Sequence, residues 1–439
     1  MSNFEDIRSA FIKAAIWHGT LDEAEEILAK HPNLATNDIH IAAILGDDKT
    51  VQKFIEEDTA NAIAISEPFG GNALIYLCMS KYLSLKQRPE EGFLRAATLL
   101  LDAGTDVNFG FGNTEYINDV ETPLYGASGV AHNANLTRLL LERGADPNDI
   151  EAVYHSPETY DNGAMEVLVN TGKITPVNLS LMLIRKHDFH DYDGAKFLLE
   201  NGTDPNVYWR ADVYPIHHAL ARGNRIEIIE LLLDHGAKTD VLDKNNLTAI
   251  AHAAREGRGD VLELFKKRGI ELDLQGADLL IAACAMNDAE QITKIVNDNP
   301  NLVNEVKAMS GNLISRFAGN GNPDGIKQLL DLGLNVNAAF EGDAYFGTPA
   351  GSLPIHVAAW KGYPTVVKLM IERGTIIDQP DANGETPLML AVKATVNSYW
   401  MYRRSPDSVE ALLQAGASAK NVAYSCGYAE VDKVLEKYR

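Results

Sequence analysis

The stretch Asp212–Asp240, DVYPIHHALARGNRIEIIELLLDHGAKTD, contains two short helical patterns joined by a tight turn. Pro215 opens the first pattern, at a helix position whose backbone N–H has no intrahelical partner. Gly223 ends it, because glycine readily adopts the left-handed conformation of a helix C-terminus. The second pattern, Ile226–Asp234, places isoleucine and leucine on one apolar stripe and stops before Gly236. The stretch therefore predicts two antiparallel helices in a unit of about 33 residues.

Copies of this unit recur over nearly the whole chain. The opening motif reads Tyr214-Pro215-Ile216-His217 here and returns as Leu353-Pro354-Ile355-His356. The end of the second helix returns as LLLDAGTDVN, LLLERGADPN, FLLENGTDPN and LMIERGTIID. These motifs resemble those of the ankyrin repeat, whose signature is Thr-Pro-Leu-His-x-Ala. The resemblance implies an all-α ankyrin-repeat solenoid of helix-turn-helix units with projecting turns, elongated and curved, and about twelve repeats fit the chain.

The units follow one another without a linker or a low-complexity tract, so the sequence predicts a single array over residues 1–439. Each repeat of such an array contacts only its neighbours, and a chain of this length therefore needs no second domain. Residues 1–66 carry degenerate N-terminal repeats, and residues 67–420 carry the central repeats. A charged helix within residues 421–439 suits a C-terminal cap.

The composition restricts the class of partner. The chain has 61 acidic and 39 basic residues, which gives a formal net charge of −22. Nucleic acid and anionic membranes are disfavoured, because phosphate contacts come from lysine and arginine. The same charge favours a partner protein with a basic surface. The opening residues lack a signal-peptide pattern and no apolar run reaches about 18 residues, so we expect a cytoplasmic monomer without membrane contact.

The histidines, acidic residues and cysteines that could carry chemistry are better explained by structural roles. The family's histidine position is occupied by His217 and His356, whose side chains are expected to hold a neighbouring turn. Residues 187–191, HDFHD, are the richest local set of metal ligands, but they lie in a polar insertion and nothing in their spacing makes them converge. We therefore expect no metal, no cofactor and no catalytic residue, and a protein that is not an enzyme. Buried free thiols in apolar helical segments are expected at Cys78, Cys284 and Cys426.

The turns between repeats, called fingers in ankyrin arrays, are where we expect recognition. The fingers at 108–118 and 339–350 are enlarged, and the finger at 206–213 is rich in aromatic residues. A further aromatic and basic segment, 399–404, is inserted between two helices. Large apolar side chains in exposed loops favour a partner surface, although a long finger can also fold back and cover itself. The predicted partner-binding residues are Phe109, Phe111, Tyr116, Tyr208, Trp209, Arg210, Phe340, Tyr345, Phe346, Trp400 and Arg403.

The function that the resemblance implies is that of a protein–protein interaction scaffold, which binds a partner through its concave groove and fingers. Fold alone does not fix function. The alternative is an enzyme or small-molecule binder with a pocket among the enlarged turns, and a convergent set of acid, base and aromatic groups in a deep cavity would favour it. A host-directed effector built only of repeats is a third possibility.

Overall fold

A computed structural model describes residues 4–85, 88–112, 120–210, 213–398, 400–423 and 425–438. Nearly all of the regular structure in these residues is helical, which confirms the all-α fold class. Contacts within the chain define two compact units. Unit 1 contains Met1–Ala219 and Leu231–Ala237, and unit 2 contains Leu220–Glu230 and Lys238–Arg439. The expectation of one continuous array over 1–439 stays a prediction.

Unit 1 begins with paired helices and contains one small antiparallel sheet. The sheet pairs β1 (Phe111–Gly112) with β2 (Val120–Glu121), and Phe111 lies opposite Glu121. β1 belongs to the enlarged finger 108–118, for which the sequence predicted a turn only. The helices are α1 (Phe4–Ala15), α2 (Leu21–Lys30), α3 (Ile39–Ile44), α4 (Asp48–Glu57), α5 (Ala73–Cys78), α6 (Glu90–Asp102), α7 (Pro123–Tyr125), α8 (Ala134–Glu142), α9 (Ile150–His155), α10 (Gly163–Val169), α11 (Pro176–Asp188) and α12 (Tyr192–Glu200).

The stretch Asp212–Asp240 forms the two helices that its pattern predicts. They are α13 (Pro215–Ala221) and α14 (Ile226–Asp234), and the bounds of α14 agree with the apolar stripe. Gly223 and Gly236 follow them with φ of 63° and 83°, a conformation that side chains with a Cβ rarely adopt. The division between the two units passes through both helices.

Unit 2 continues the series of paired helices. The last of them lies within the segment 421–439, where a capping helix was expected. The helices are α15 (Ala249–Arg255), α16 (Gly259–Lys267), α17 (Gly276–Ala285), α18 (Ala289–Asp298), α19 (Leu302–Ala308), α20 (Ser310–Gly319), α21 (Pro323–Asp331), α22 (Pro354–Trp360), α23 (Pro364–Glu372), α24 (Pro387–Ala394), α25 (Asp407–Gln414) and α26 (Ala429–Glu436).

The helices of unit 2 form two packed layers. The first helices of successive repeats, α20, α22 and α24, pack side by side, and the second helices, α21, α23 and α25, do the same. Ile355 and Leu388 are fully buried in the first layer. Each such aliphatic side chain contributes about 1.5–3 kcal/mol by leaving water, so the stripes read from the sequence hold the layers together.

The repeated motif residues fix the turns. Thr386 caps α24, because its hydroxyl accepts a hydrogen bond from the backbone N–H of Met389 at 3.3 Å. His356 accepts one at Nδ1 from the backbone N–H of Leu353 (3.0 Å) and donates one from Nε2 to the carbonyl of Gln379 (2.8 Å). The structural role expected for His356 is confirmed. His217 is also buried, at the same position of its own helix.

The asparagine that ends the second-helix motif links successive repeats, a role that the sequence analysis did not assign. In unit 1 the side chain of Asn206 donates a hydrogen bond to the carbonyl of Gly236 at 2.9 Å. Asn108 does the same to Gly144 at 3.1 Å, and in unit 2 Asn337 does so to Gly374 at 3.4 Å. The recurrence of asparagine at this position therefore has a structural cause.

The cysteines follow the expectation in two of three cases. Cys78 and Cys284 are buried free thiols on α5 and α17. Cys426 is a free thiol too, but it lies outside any helix and is half-buried, so the expected helical, buried position is wrong for this residue. In the residues that the structure describes, every helix is too short or too polar to span a bilayer.

Candidate functional site

Four of the predicted partner-binding side chains do not project from the fingers. Each retains between 2% and 6% of its exposure: Phe111, Phe340, Phe346 and Trp400. Their burial in the free chain agrees with the alternative that the sequence left open, in which such segments fold back; that these side chains contact a partner stays a prediction. Tyr116 lies outside the described residues.

The finger around Phe111 packs into an aromatic cluster of unit 1. The Phe111 ring stacks on Phe69 with centroids 5.7 Å apart and meets the edge of Trp17 at 6.1 Å. Trp17 also donates a hydrogen bond from Nε1 to the hydroxyl of Tyr125 at 3.1 Å. Phe109, two residues before Phe111, is half-buried. Burying these rings against one another stabilises an enlarged turn that has little regular structure of its own.

The finger 339–350 folds back as a short hairpin in unit 2. Asp343 and Thr348 exchange backbone hydrogen bonds of 2.8 and 2.9 Å. The Phe346 carbonyl accepts a hydrogen bond from Trp360 Nε1 at 2.8 Å, and its ring lies 5.4 Å from that of Trp400. This hairpin therefore explains why Phe346 and Trp400 are buried although both lie in inserted segments.

The finger 206–213 of unit 1 does present aromatic side chains to solvent. Tyr208 is 48% exposed, Trp209 is half-buried and Arg210 is exposed. The Arg210 guanidinium lies 5.0 Å from the Trp209 ring centroid, and the Trp209 N–H donates to the carbonyl of Val213 at 3.2 Å. The Tyr208 ring lies 5.5 Å from that of Tyr214, at the start of α13. We call Tyr208, Trp209 and Arg210 the Trp209 finger.

Cations and aromatic rings of unit 2 lie next to one another in a row. Arg222 lies 3.4 Å from the Tyr345 ring centroid, and that ring lies 4.8 Å from Phe346. Lys361 and Arg403 lie 5.3 and 5.0 Å from the Trp400 centroid. The sequence identifies Tyr345, Phe346, Trp400 and Arg403 as candidates but not the proximity of these residues, because they come from segments distant in sequence. We call the row the cation–ring strip; its members are Arg222, Tyr345, Phe346, Lys361, Trp400 and Arg403.

A buried acid lies beside the cation–ring strip. Glu256, at the end of α15, forms an ion pair with Arg316 and lies 3.7 Å from His252 Nε2. Burial opposes its ionisation, but the neighbouring His252 and the charge of Arg316 lower the pKa of Glu256 to about 2. The second arm of Arg316 binds Glu341 at 3.0 Å. Glu256 is thus a fully compensated carboxylate at neutral pH.

The HDFHD segment is not the polar, solvated insertion that was expected. α11 continues to Asp188, so that Lys186 and His187 are buried, and Lys186 Nζ binds the Asp191 carboxylate at 2.9 Å. Burial lowers the pKa of His187 to about 3, and His218 adds a like charge. Among the residues that the structure describes, no three histidine, cysteine or acidic side chains come together as a metal site requires.

A row of paired charges connects neighbouring helices of unit 1. His155 lies 3.3 Å from Glu151 and 2.9 Å from Glu158, and Glu158 also binds Arg185 on α11. Burial disfavours the charged imidazole, but the two carboxylates outweigh this and raise the pKa of His155 to about 9. These groups satisfy one another, which is typical of a structural network.

Unit 1 also contains a cleft of about 870 Å³. Its lining includes the aliphatic side chains of Leu21, Leu45 and Leu85 and the charged groups of Arg88 and Arg95. The Arg95 guanidinium binds the Asp48 carboxylate at 2.7 Å, and Arg88 donates to the Leu45 carbonyl at 3.1 Å. Both arginines of the cleft are therefore paired with groups of the protein itself.

Comparisons with known proteins agree with this architecture. The sequence model of the family described as ankyrin repeats (3 copies) matches residues 181–276 and 314–423. The human ankyrin repeat domain-containing protein 37 is 29% identical over 117 residues, which are 26% of this chain and 70% of that protein. The Schizosaccharomyces pombe ankyrin repeat-containing protein P1E11.10 is 35% identical over 79 residues, 18% of this chain and 34% of that protein.

A solved structure is also similar. The match is to the crystal structure of the human ASB11 ankyrin repeat domain, at 20% sequence identity. The matched region is 54% of this chain and 98% of the ASB11 chain. Its TM-score of 0.25 is too low for a detailed comparison of the two folds.

Proposed function

Because this chain is an ankyrin-repeat protein, we propose that it is a non-catalytic scaffold that binds another protein, and that the Trp209 finger contacts the partner. Ankyrin repeats are protein-interaction modules, so the class of function follows from the family. We choose the binding residues of this chain by their accessibility, because a partner can contact only side chains that solvent can reach.

The observation that carries the proposal is a short, braced turn with three adjacent recognition side chains, of which Tyr208 and Arg210 are exposed and Trp209 is half-buried. Tyrosine, tryptophan and arginine are the residue types that most often dominate interface energies. The backbone hydrogen bond from Trp209 to Val213 and the packing of Tyr208 on Tyr214 restrict the turn before a partner binds. A restricted turn loses less conformational entropy on binding, which favours affinity.

The net charge of −22 supports a partner with a basic surface, because opposite fields accelerate the encounter of two proteins. Arg210 is a local exception, since its guanidinium can donate two parallel hydrogen bonds to a carboxylate of the partner. We also propose that the chain is a monomer and that it lies in the cytoplasm. The free thiols of Cys78, Cys284 and Cys426 fit a reducing compartment.

The experiment is comparative affinity capture from a lysate of the source cell. The wild-type chain, Trp209→Ala and Leu242→Ala serve as baits, and the captured proteins are quantified by mass spectrometry. Leu242 is the matched control, because it is an exposed apolar side chain in another turn. We expect at least one protein that is enriched by the wild type and by Leu242→Ala and is depleted with Trp209→Ala. Identical captures by all three baits would contradict the proposal.

A further inference from the structure

Lys361 is a buried cation without a carboxylate partner in the described part of the chain. It follows the last turn of α22 and is 7% exposed. Its Nζ lies 3.8 Å from the centroid of the Phe346 ring. No ion pair of 4.0 Å or less joins this nitrogen to a described carboxylate.

The acids that act on Lys361 are already bound to other groups. Glu256 is held by Arg316 and accepts a hydrogen bond from the Asn320 side chain at 3.3 Å. Asp343 accepts hydrogen bonds from the backbone N–H groups of Tyr345 (3.1 Å) and Phe346 (3.3 Å). Burial, with Arg403 and Arg316 as like charges, lowers the pKa of Lys361 to about 8, although Glu256 and Asp343 oppose this. Lys361 thus remains an incompletely compensated cation.

Arg403 is a second cation without a described carboxylate partner, and it lies next to Lys361. Its guanidinium lies over three rings, with centroids at 4.4 Å for Tyr363, 4.9 Å for Tyr402 and 5.0 Å for Trp400. It donates a hydrogen bond to the backbone carbonyl of Lys361 at 3.4 Å, and no described carboxylate forms an ion pair with it. Two neighbouring cations therefore face rings instead of acids.

This arrangement is unusual in a chain with 61 acidic residues. Rings compensate a buried ammonium group in part, through their negative faces. A carboxylate would compensate it more fully, because a charged hydrogen bond is stronger than a contact with a ring. Groups that destabilise the free protein and are relieved by a ligand are a common property of binding sites.

We propose that Lys361 and Arg403 form a receptor for carboxylate side chains in an acidic segment of a partner protein. Tyr402 is 69% exposed and Met401 is 41% exposed, so apolar surface for the rest of the segment adjoins the cations. The negative net charge of the chain does not prevent this, since exposed charges further away than about 8 Å are largely screened at physiological salt. Nucleic acid is disfavoured as the occupant, because it needs a run of lysine and arginine contacts to successive phosphates and this pair supplies two cations.

The inference rests on the proposed protein-binding function, but its test does not involve the Trp209 finger. The probe is a fluorescein-labelled 16-residue peptide of alternating Glu and Ala, measured by fluorescence anisotropy at 150 mM salt. The same peptide with Gln in place of Glu has no charge, and a single-stranded oligonucleotide of equal net charge serves as the competing polyanion. The proteins are the full chain, Lys361→Met, Arg403→Gln and Arg373→Gln. Arg373 is the matched control, because it is a paired arginine of unit 2 that binds Asp331 at 2.8 Å.

We expect the wild type and Arg373→Gln to bind the Glu peptide with similar affinity, and Lys361→Met and Arg403→Gln to bind it at least about tenfold more weakly. The Gln peptide should not bind. Lys361→Met should melt at the wild-type temperature or above it, because the substitution removes a buried charge and keeps an apolar stem. This separates a binding role from a structural one.

Three results would overturn the proposal. The first is that the wild type fails to bind the Glu peptide, or binds the Gln peptide equally well. The second is that Arg373→Gln loses as much affinity as Lys361→Met, which would mean a non-specific effect of charge. The third is that the oligonucleotide displaces the Glu peptide from a higher-affinity complex, which would make nucleic acid the ligand. Any of these leaves the Trp209 capture experiment unaffected, so failure here is distinguishable from failure of the proposed function.

Discussion

Arg316 on α20 binds the buried carboxylate of Glu256, which lies at the end of α15. The two residues are 60 positions apart in the sequence, and both belong to unit 2. Asn320 adds a hydrogen bond to the backbone carbonyl of Glu256 at 2.9 Å. This pair therefore joins two repeats of unit 2 by charge, in addition to the apolar packing of their helices.

Replacing Glu256 by Gln should destabilise the protein by about 2 kcal/mol, because removing one member of a buried pair leaves the other charge without its partner. The estimate lies below the value for a fully buried pair, since Arg316 keeps Glu341. Urea unfolding at pH 7 measures the change. Asp331→Asn is the control, because it removes an exposed pair with Arg373, worth about 0.5 kcal/mol or less. Equal losses in the two variants would contradict the account.

The low pKa of the Glu256 carboxylate predicts how acid destabilises the folded protein. Its pKa is about 2 in the folded protein and about 4.3 in an unfolded chain. A depressed folded pKa stabilises the protein above the unfolded value, and this contribution disappears as the pH falls towards 2. The stability difference between the wild type and Glu256→Gln should therefore shrink between pH 5 and pH 2, as followed by urea unfolding across that range. A difference that stays constant down to pH 2 would show that Glu256 is not ionised in the folded state.

His155 and His187 should titrate at opposite ends of the pH scale. The carboxylates of Glu151 and Glu158 hold the pKa of His155 at about 9, whereas burial holds that of His187 at about 3. NMR of the imidazole protons should show His155 charged at pH 7.5 and His187 neutral down to pH 4. The stability that His155 contributes is fully present below about 6.5, its unfolded pKa, and is lost as the pH rises through 9. A midpoint near 6.5 for either residue would refute the assignment of its surroundings.

The three thiols should react at different rates. Cys426 is half-buried, whereas Cys78 and Cys284 are buried, and burial raises the pKa of both buried thiols. A thiolate is the reactive form, so a disulfide reagent should label Cys426 first and the other two only after local or global opening. Mass spectrometry of the labelled peptides gives the order. Prompt labelling of Cys78 in native protein would mean that α5 is not packed as described.

The sequence predicted those features that local signals determine. Proline, glycine and the apolar stripe define α13 and α14, because capping and burial periodicity act within one turn of a helix. The recurrence of these signals was sufficient to recognise the repeat. Nothing comparable marks Phe346 and Trp400, whose burial depends on a contact between two inserted segments. Composition alone therefore made both rings resemble an exposed surface.

Polar residues in insertions were the second source of error. Lys186 and His187 look like solvated loop residues, but α11 continues through them and Asp191 compensates the lysine. The receptor at Lys361 was missed for the converse reason. A single lysine at the end of a helix is ordinary in sequence, and only the structure places its ammonium group among aromatic rings.

The central claim is that the protein binds a partner through the Trp209 finger. Its most direct test is an isothermal titration of the captured partner into the wild type and Trp209→Ala, together with the melting temperature of each chain. We predict that the substitution weakens binding by about 2 kcal/mol, as expected for an interface hot spot. The melting temperature should remain nearly unchanged, because Trp209 lies in a turn outside any helix and is only half-buried. Reduced stability with unchanged affinity would contradict the claim and would show that the Trp209 finger is a packing element.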